Sequence, residues 1–72
     1  MDESVKGKFK LILRGDLKYT SNNLAANMLI SRLKKKMASD PDSFETCIQE
    51  IDSFAAKYPG VAKSDYANIM AL

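Results

Sequence analysis

The segment "PDSFETCIQEIDSFAAKY", residues 41–58, shows the clearest helical periodicity in the chain. At about 100° per residue, its apolar side chains fall within an arc of about 120°, and polar side chains fill the rest of the circumference. The apolar set is Phe44, Cys47, Ile48, Ile51, Phe54, Ala55 and Tyr58. Asp40 is a favourable N-cap, Pro41 suits the first helical position, and Pro59-Gly60 predicts the helix end. We therefore predict an amphipathic helix whose side chains at the centre of the core are Phe44, Ile48, Ile51 and Phe54.

Two further helices are predicted from weaker patterns. Residues 21–37, "SNNLAANMLISRLKKKM", form one of them, with Thr20 or Ser21 as the N-cap. Its main apolar band is Ala25, Ala26, Leu29, Ile30, Leu33 and Met37. Residues 64–72, "SDYANIMAL", form a short final helix capped by Ser64. Its inward-facing residues are predicted to be Tyr66, Ile69 and Met70.

A second apolar strip on the helix over residues 21–37 lies outside its main band. Leu24 and Met28 fall on the flank that also carries Arg32 and Lys35. This strip has two interpretations. It is either a surface that binds a protein partner or a face that packs against the N-terminal segment.

The first 19 residues fit both a helix and a β-hairpin. In a helix, one face would carry Val5, Phe9, Ile12 and Leu13, and Gly15 would follow the last helical residue. In a hairpin, "KFKLILRGDLKYT", residues 8–20, would alternate apolar and basic side chains, with a turn at Gly15-Asp16. We favour the helix, because an isolated hairpin is marginally stable at best and would depend on the helices around it.

The composition excludes several classes of functional site. The chain has 72 residues, which is the size of one small domain with a marginal core. It contains no histidine, and Cys47 is its single cysteine, so neither an internal disulfide nor a histidine-dependent catalytic site is possible. Zinc-finger metal sites are excluded for the same reason. A partner chain is therefore an attractive source of additional stability.

The expected location of the protein is the cytoplasm. The first eight residues, "MDESVKGK", carry acids and lack the apolar region of a signal peptide. The uninterrupted apolar runs, such as residues 11–13 and 69–72, are far too short for a membrane span. A single cysteine also suits a reducing compartment.

Charge is distributed unevenly along the chain. Residues 1–37 hold nine basic groups and three acids, whereas residues 38–72 hold two basic groups and six acids. The reversal is sharpest in "LKKKMASDPDSFE", residues 33–45. Cations near the end of one helix and acids near the start of the next both favour the helix dipoles, which explains the reversal without a ligand. A basic face that binds a polyanion is the functional alternative.

Residues 24–31, "LAANMLIS", resemble the first helix and turn of a helix-turn-helix motif. Leu24-Ala25 and Ile30-Ser31 occupy the matching places. The resemblance implies DNA binding, with the lysine run in the recognition helix. Leu29 stands where the turn of the motif usually has glycine, and Asp40-Pro41 would limit the second helix to about two turns. Both departures favour one continuous helix.

These observations predict an all-α fold of three or four short helices that forms one domain over residues 1–72. The predicted function is that of a small non-enzymatic regulator or adaptor that binds a protein partner, or itself, through Leu24, Met28, Arg32 and Lys35. The alternative is a nucleic-acid-binding regulator that uses the basic N-terminal half. Its contacts would be Lys6, Lys8, Lys10, Arg14, Arg32, Lys34, Lys35 and Lys36. No catalytic, cofactor or metal site is predicted.

Overall fold

The structure is a computed structural model that describes all 72 residues and consists of four α-helices and one short 3₁₀ turn. The helices are α1 (Glu3–Arg14), α2 (Leu24–Ser39), α3 (Phe44–Lys57) and α4 (Pro59–Met70), and the 3₁₀ turn is Pro41–Ser43. α2 packs against both α1 and α3, and α4 packs against the same two helices. The prediction of a small all-α bundle is confirmed.

Helix α1 is defined by a cap at each end. The Oδ1 atom of Asp2 accepts a hydrogen bond of 2.7 Å from the backbone N–H of Ser4. Gly15 follows the last turn with a φ of 85°, and its N–H donates to the carbonyl of Ile12 at 3.0 Å. The hairpin alternative for residues 1–19 is therefore wrong. Gly15 adopts the left-handed conformation that ends a helix, and no strand forms on either side of it.

Helix α2 begins three residues later than the sequence predicts. Asn23 is its N-cap, and the Oδ1 atom of Asn23 accepts a hydrogen bond of 3.1 Å from the N–H of Ala26. Thr20 and Ser21, the predicted caps, lie outside the helix. The prediction fails because several residues in a row have side chains suited to capping, and local propensity does not choose among them.

Helix α2 runs without interruption to Ser39. The prediction of one continuous helix across Leu29 is confirmed, and the turn that a helix-turn-helix motif requires is absent. Of the three consecutive lysines, only Lys36 lies in the last turn of the helix. The dipole interpretation of the lysine run therefore applies to Lys36 and not to its two predecessors.

Helix α3 follows the predicted position closely. The Oδ1 atom of Asp40 accepts a hydrogen bond of 3.2 Å from the N–H of Asp42, and Pro41 occupies the first position of the 3₁₀ turn. The α-helical hydrogen bonds begin only at Phe44. Residues 41–58 are thus helical as predicted, except that their first turn is 3₁₀ and Tyr58 lies between α3 and α4.

Helix α4 begins at Pro59, five residues before its predicted start. A proline at the first helical position has a suitable φ and lacks an N–H that would otherwise be unpaired there. Ser64, the predicted N-cap, lies inside the helix. Ile69 is fully buried as predicted, but Met70, which was predicted to face inward, is exposed.

The centre of the core differs from the predicted one. The largest fully buried side chains are Phe9, Ile12, Leu33, Cys47 and Ile69. Ile48 and Ile51 are buried as predicted, whereas Phe44 and Phe54 are only partly buried. Phe54 lies at the edge of the apolar arc of α3. Phe44 is the first residue of that helix and lies at one of its ends. Neighbouring helices therefore cover both rings incompletely.

Candidate functional site

The outer face of α2 carries two large apolar side chains in solvent. Leu24 is 73% exposed and Met28 is 64% exposed. The two residues are one helical turn apart and point away from the buried side of α2, which includes Ala26, Ile30 and Leu33. The interpretation that this strip packs against the N-terminal segment is therefore wrong.

Arg32 and Lys35 extend the same surface but have different surroundings. The Nη1 atom of Arg32 lies 2.8 Å from Oε1 of Glu50 on α3, and the Nζ atom of Lys36 lies 3.4 Å from its Oε2. The hydrogen bond from Arg32 is the main reason why the pKa of Glu50 lies below its ordinary value, and the hydrogen bond from Lys36 lowers this pKa further. Lys35 takes part in none of the ion pairs of the protein. Arg32 thus links α2 to α3, while Lys35 is free to meet a partner.

The predicted nucleic-acid contacts do not form one basic surface. The Nζ atom of Lys6 lies 3.2 Å from Oε1 of Glu45 on α3. The Nζ atom of Lys8 donates to the carbonyl oxygens of Ile69 and Met70 at 3.1 Å each. Four of the eight predicted contacts thus bind other parts of the protein, namely Lys6, Lys8, Arg32 and Lys36.

Three of the remaining cations line one groove between the C-terminal ends of α1 and α2. These cations are Lys10, Arg14 and Lys34, and the groove has a volume of about 640 Å³. The other lining residues are Leu13, Gly15, Met37, Ala38 and Pro41. None of the lining residues is acidic. The structure therefore brings these three predicted residues together and separates them from the outer face of α2.

A polar cluster that the sequence analysis missed joins α4 to the segment before α2. Asp65 is 7% exposed, and its carboxylate accepts hydrogen bonds from the hydroxyl of Tyr19 at 2.5 Å and from that of Ser21 at 2.9 Å. Burial and the hydrogen bond to Asp65 raise the pKa of Tyr19. The side chain of Asn27 accepts from the N–H of Ser21 at 2.7 Å and donates to its carbonyl at 2.8 Å.

The spacing of buried residues along α4 is the feature of the sequence that could have predicted this cluster. Ala62 and Ile69 are buried, and Asp65 lies three residues after the first and four before the second. That spacing places the carboxylate on the inner face of the helix. Because each oxygen of the carboxylate has a hydroxyl donor, the cluster attaches the α1–α2 connection to α4. We assign it a structural role.

Three further features of the structure concern a cavity, metal binding and the membrane. An apolar cavity lined by residues of all four helices has a volume of about 20 Å³, which is room for about one water molecule. No three His, Cys, Asp or Glu side chains are grouped so that they would hold a metal ion. None of the helices combines the length and the apolar character that crossing a bilayer requires.

Comparison of the chain with protein-family models, with curated proteins and with solved structures gives no match. Function is therefore inferred from the two surfaces described above, the outer face of α2 and the basic groove.

Proposed function

We propose that the chain is a small non-enzymatic interaction module, a regulator or adaptor, that binds a protein partner or a second copy of itself through the outer face of α2. The interface residues are Leu24, Met28, Arg32 and Lys35. The observation that carries this proposal is the exposure of Leu24 and Met28 on a helix whose opposite side completes the core. Neither side chain contributes to the fold in this position, and both are available to a partner.

The size and spacing of the two side chains support this proposal. Complete burial of a leucine or methionine side chain contributes about 1.5–3 kcal/mol relative to full exposure. Single exposed apolar residues are common on protein surfaces. Two of them one turn apart match the anchor spacing used when a helix docks into an apolar groove. Arg32 and Lys35 supply the polar rim that surrounds the apolar centre of most interfaces.

The alternative function, nucleic-acid binding by the basic N-terminal half, has less support. It depends on cations that act together along a phosphate backbone. Lys6 and Lys8 are instead bound to other parts of the protein, as are Arg32 and Lys36. The protein-partner proposal does not depend on those four side chains acting together.

Paired variants of the chain test the proposal. In the variant Leu24→Glu with Met28→Glu, two carboxylates replace the apolar anchors. The matched control, Met70→Glu with Leu72→Glu, makes the same change in charge at two apolar side chains that are exposed elsewhere. Sedimentation velocity over a range of concentrations measures self-association. For a different partner, proteins captured from a lysate are identified and purified, and their affinity for each variant is then measured.

The expected result is loss of self-association, or of affinity for the purified partner, in the α2 variant alone. Both variants should keep the helical circular-dichroism spectrum of the original chain, because all four positions are exposed. A chain that stays monomeric and binds every purified candidate equally well with and without the α2 anchors would refute the proposal.

A further inference from the structure

The cations of the basic groove are not neutralised within the protein. Lys10 and Lys34 take part in no ion pair, and Arg14 pairs only with Asp16, with 3.3 Å between Nε and Oδ2. Both side chains of that pair are exposed, so it contributes little to stability and an incoming carboxylate can replace Asp16. The groove thus presents positive charge to a ligand.

The helix dipoles do not account for these cations. Their effect is confined to the first and last turn of a helix. Arg14 lies in the last turn of α1, but Lys10 lies one turn earlier. Lys34 likewise precedes the last turn of α2, in which Lys36 is the basic residue. Lys10 contacts the ring of Phe44, but the dipoles explain the position of neither Lys10 nor Lys34. Two cations from different helices therefore meet at the groove.

The groove also has an apolar part. Its lining includes Leu13, Met37, Ala38 and Pro41, together with Gly15. Its volume of about 640 Å³ lies within the range of small-ligand sites. An apolar lining offers no partner to a phosphate or a sugar, but it favours the burial of an apolar side chain. The ligand that matches both parts of the lining carries acidic and apolar groups close together.

A nucleic acid matches this groove less well. Binding of single strands relies on aromatic side chains on which bases stack. None of the lining residues is aromatic, although the Nζ atom of Lys10 lies 5.4 Å from the centroid of the Phe44 ring. Phe44 is not among the lining residues, and Lys10 occupies the face of the ring that a base would need.

We propose that the groove between α1 and α2 binds an acidic peptide segment that carries an apolar side chain between its carboxylates. Lys10, Arg14 and Lys34 pair with the carboxylates, and the apolar side chain lies against Ala38 and Pro41, the exposed part of the apolar lining. The groove shares no residue with the outer face of α2. This site is therefore additional to the proposed interface and stands or falls independently of it.

A fluorescently labelled peptide of alternating glutamate and leucine is a direct probe of the site. Fluorescence anisotropy should show saturable binding to the original chain, and the affinity should fall as salt is added. Amide NMR shifts should change at Gly15 and Ala38, which border the groove, more than at Leu24 and Met28. Two further peptides, with glutamine in place of glutamate or serine in place of leucine, should each bind about tenfold or more weakly.

A pair of protein variants separates the groove from general charge effects. Lys10→Gln with Lys34→Gln should lower the affinity for the glutamate–leucine peptide by about tenfold or more. Lys18→Gln with Lys63→Gln changes the net charge equally at two exposed lysines outside the groove, and it should change the affinity by less than about threefold. Both variants should keep the thermal midpoint of the original chain.

Four outcomes would overturn the proposal. The first is the absence of saturable binding to the glutamate–leucine peptide. The second is an equal loss of affinity in both double variants, which would show that only net charge matters. The third is unchanged affinity for the serine-containing peptide, which would show that the apolar lining is not used. The fourth is that an oligonucleotide of equal charge binds more tightly than the glutamate–leucine peptide and that Lys10→Gln with Lys34→Gln abolishes this binding. That result would make the groove a phosphate site.

Discussion

Tyr19 donates a hydrogen bond of 2.5 Å to Oδ2 of Asp65, which lies 46 positions further along the chain. The other carboxylate oxygen accepts from Ser21 at 2.9 Å. Asp65 is buried and no basic side chain pairs with it. Two hydroxyl groups from one connection thus compensate for the burial of a charge and fix that connection to α4.

We expect Asp65→Ala to lower the free energy of unfolding by about 1–3 kcal/mol, because the half-buried hydroxyl of Tyr19 and the buried hydroxyl of Ser21 would lose their acceptor. Urea denaturation measures the loss. The control is Asp42→Ala, which removes an exposed acid whose carboxylate accepts no hydrogen bond in the structure, and it should cost less than about 1 kcal/mol. Equal losses in the two variants would show that Asp65 has no special role.

Phe9→Ala should destabilise the chain more than Phe54→Ala does. Phe9 is among the largest fully buried side chains, and its ring meets those of Tyr19 and Tyr66 edge to face with centroids 6.1 and 5.9 Å apart. Its truncation should cost about 3–5 kcal/mol and leave little folded protein. Phe54 is partly exposed, so its truncation should cost about 1–2 kcal/mol in proportion to the smaller buried area. Denaturant midpoints that rank the two variants in the opposite order would contradict this assignment of the core.

The three consecutive lysines should contribute unequally to stability. Lys36→Ala removes an ion pair with Glu50 and the cation in the last turn of α2, and we expect a loss of about 0.5–1 kcal/mol. High salt should reduce this loss. Lys35→Ala should change stability by less than about 0.5 kcal/mol, because Lys35 is exposed and forms no ion pair. Thermal melts at low and high salt measure both effects, and equal losses would contradict the structure.

Glu50 should make stability depend on acid pH. Its pKa in the folded chain lies below the ordinary value of 4.5, chiefly because Arg32 donates a hydrogen bond to the carboxylate. The stabilisation is therefore complete above about pH 4.5 and is lost as the pH falls through the lower folded pKa. In Glu50→Gln, the unfolding free energy measured in urea should be lower near neutral pH, and the difference from the original chain should shrink below pH 4.5. A difference that stays constant down to strongly acidic pH would show that the carboxylate charge is not responsible.

The elements that the sequence predicts well have signals that are local. Asp40 and Pro41 mark the start of the third helical segment, and Gly15 marks the end of α1 whatever the rest of the chain does. Pro59 is ambiguous because a proline both prevents continuation of the preceding helix and favours the first turn of a new one. The single residue between α3 and α4, Tyr58, leaves no loop that would mark the boundary.

The candidate sites depend on contacts that are distant in sequence. Periodicity places Leu24 and Met28 off the main apolar band, but only the position of α1 decides whether they are covered. The predicted helix start at residue 64 also places Asp65 in a first turn, where an exposed acid is favourable. The true start at Pro59 moves Asp65 to the second turn and onto the buried face. An error of five residues in one helix boundary thus concealed the cluster.

The contact between Lys8 and the end of α4 constrains how this protein can evolve. The end of α4 carries no glycine, and Lys8 on α1 supplies donors to the last carbonyl oxygens of that helix, at Ile69 and Met70. If α4 were transferred alone into a different chain, its C-terminal end would thus lack the side chain that binds it here. Because the acceptors are backbone carbonyl oxygens, substitutions at residues 69 and 70 can keep this contact, whereas a substitution of Lys8 by a residue without a long donor side chain removes it.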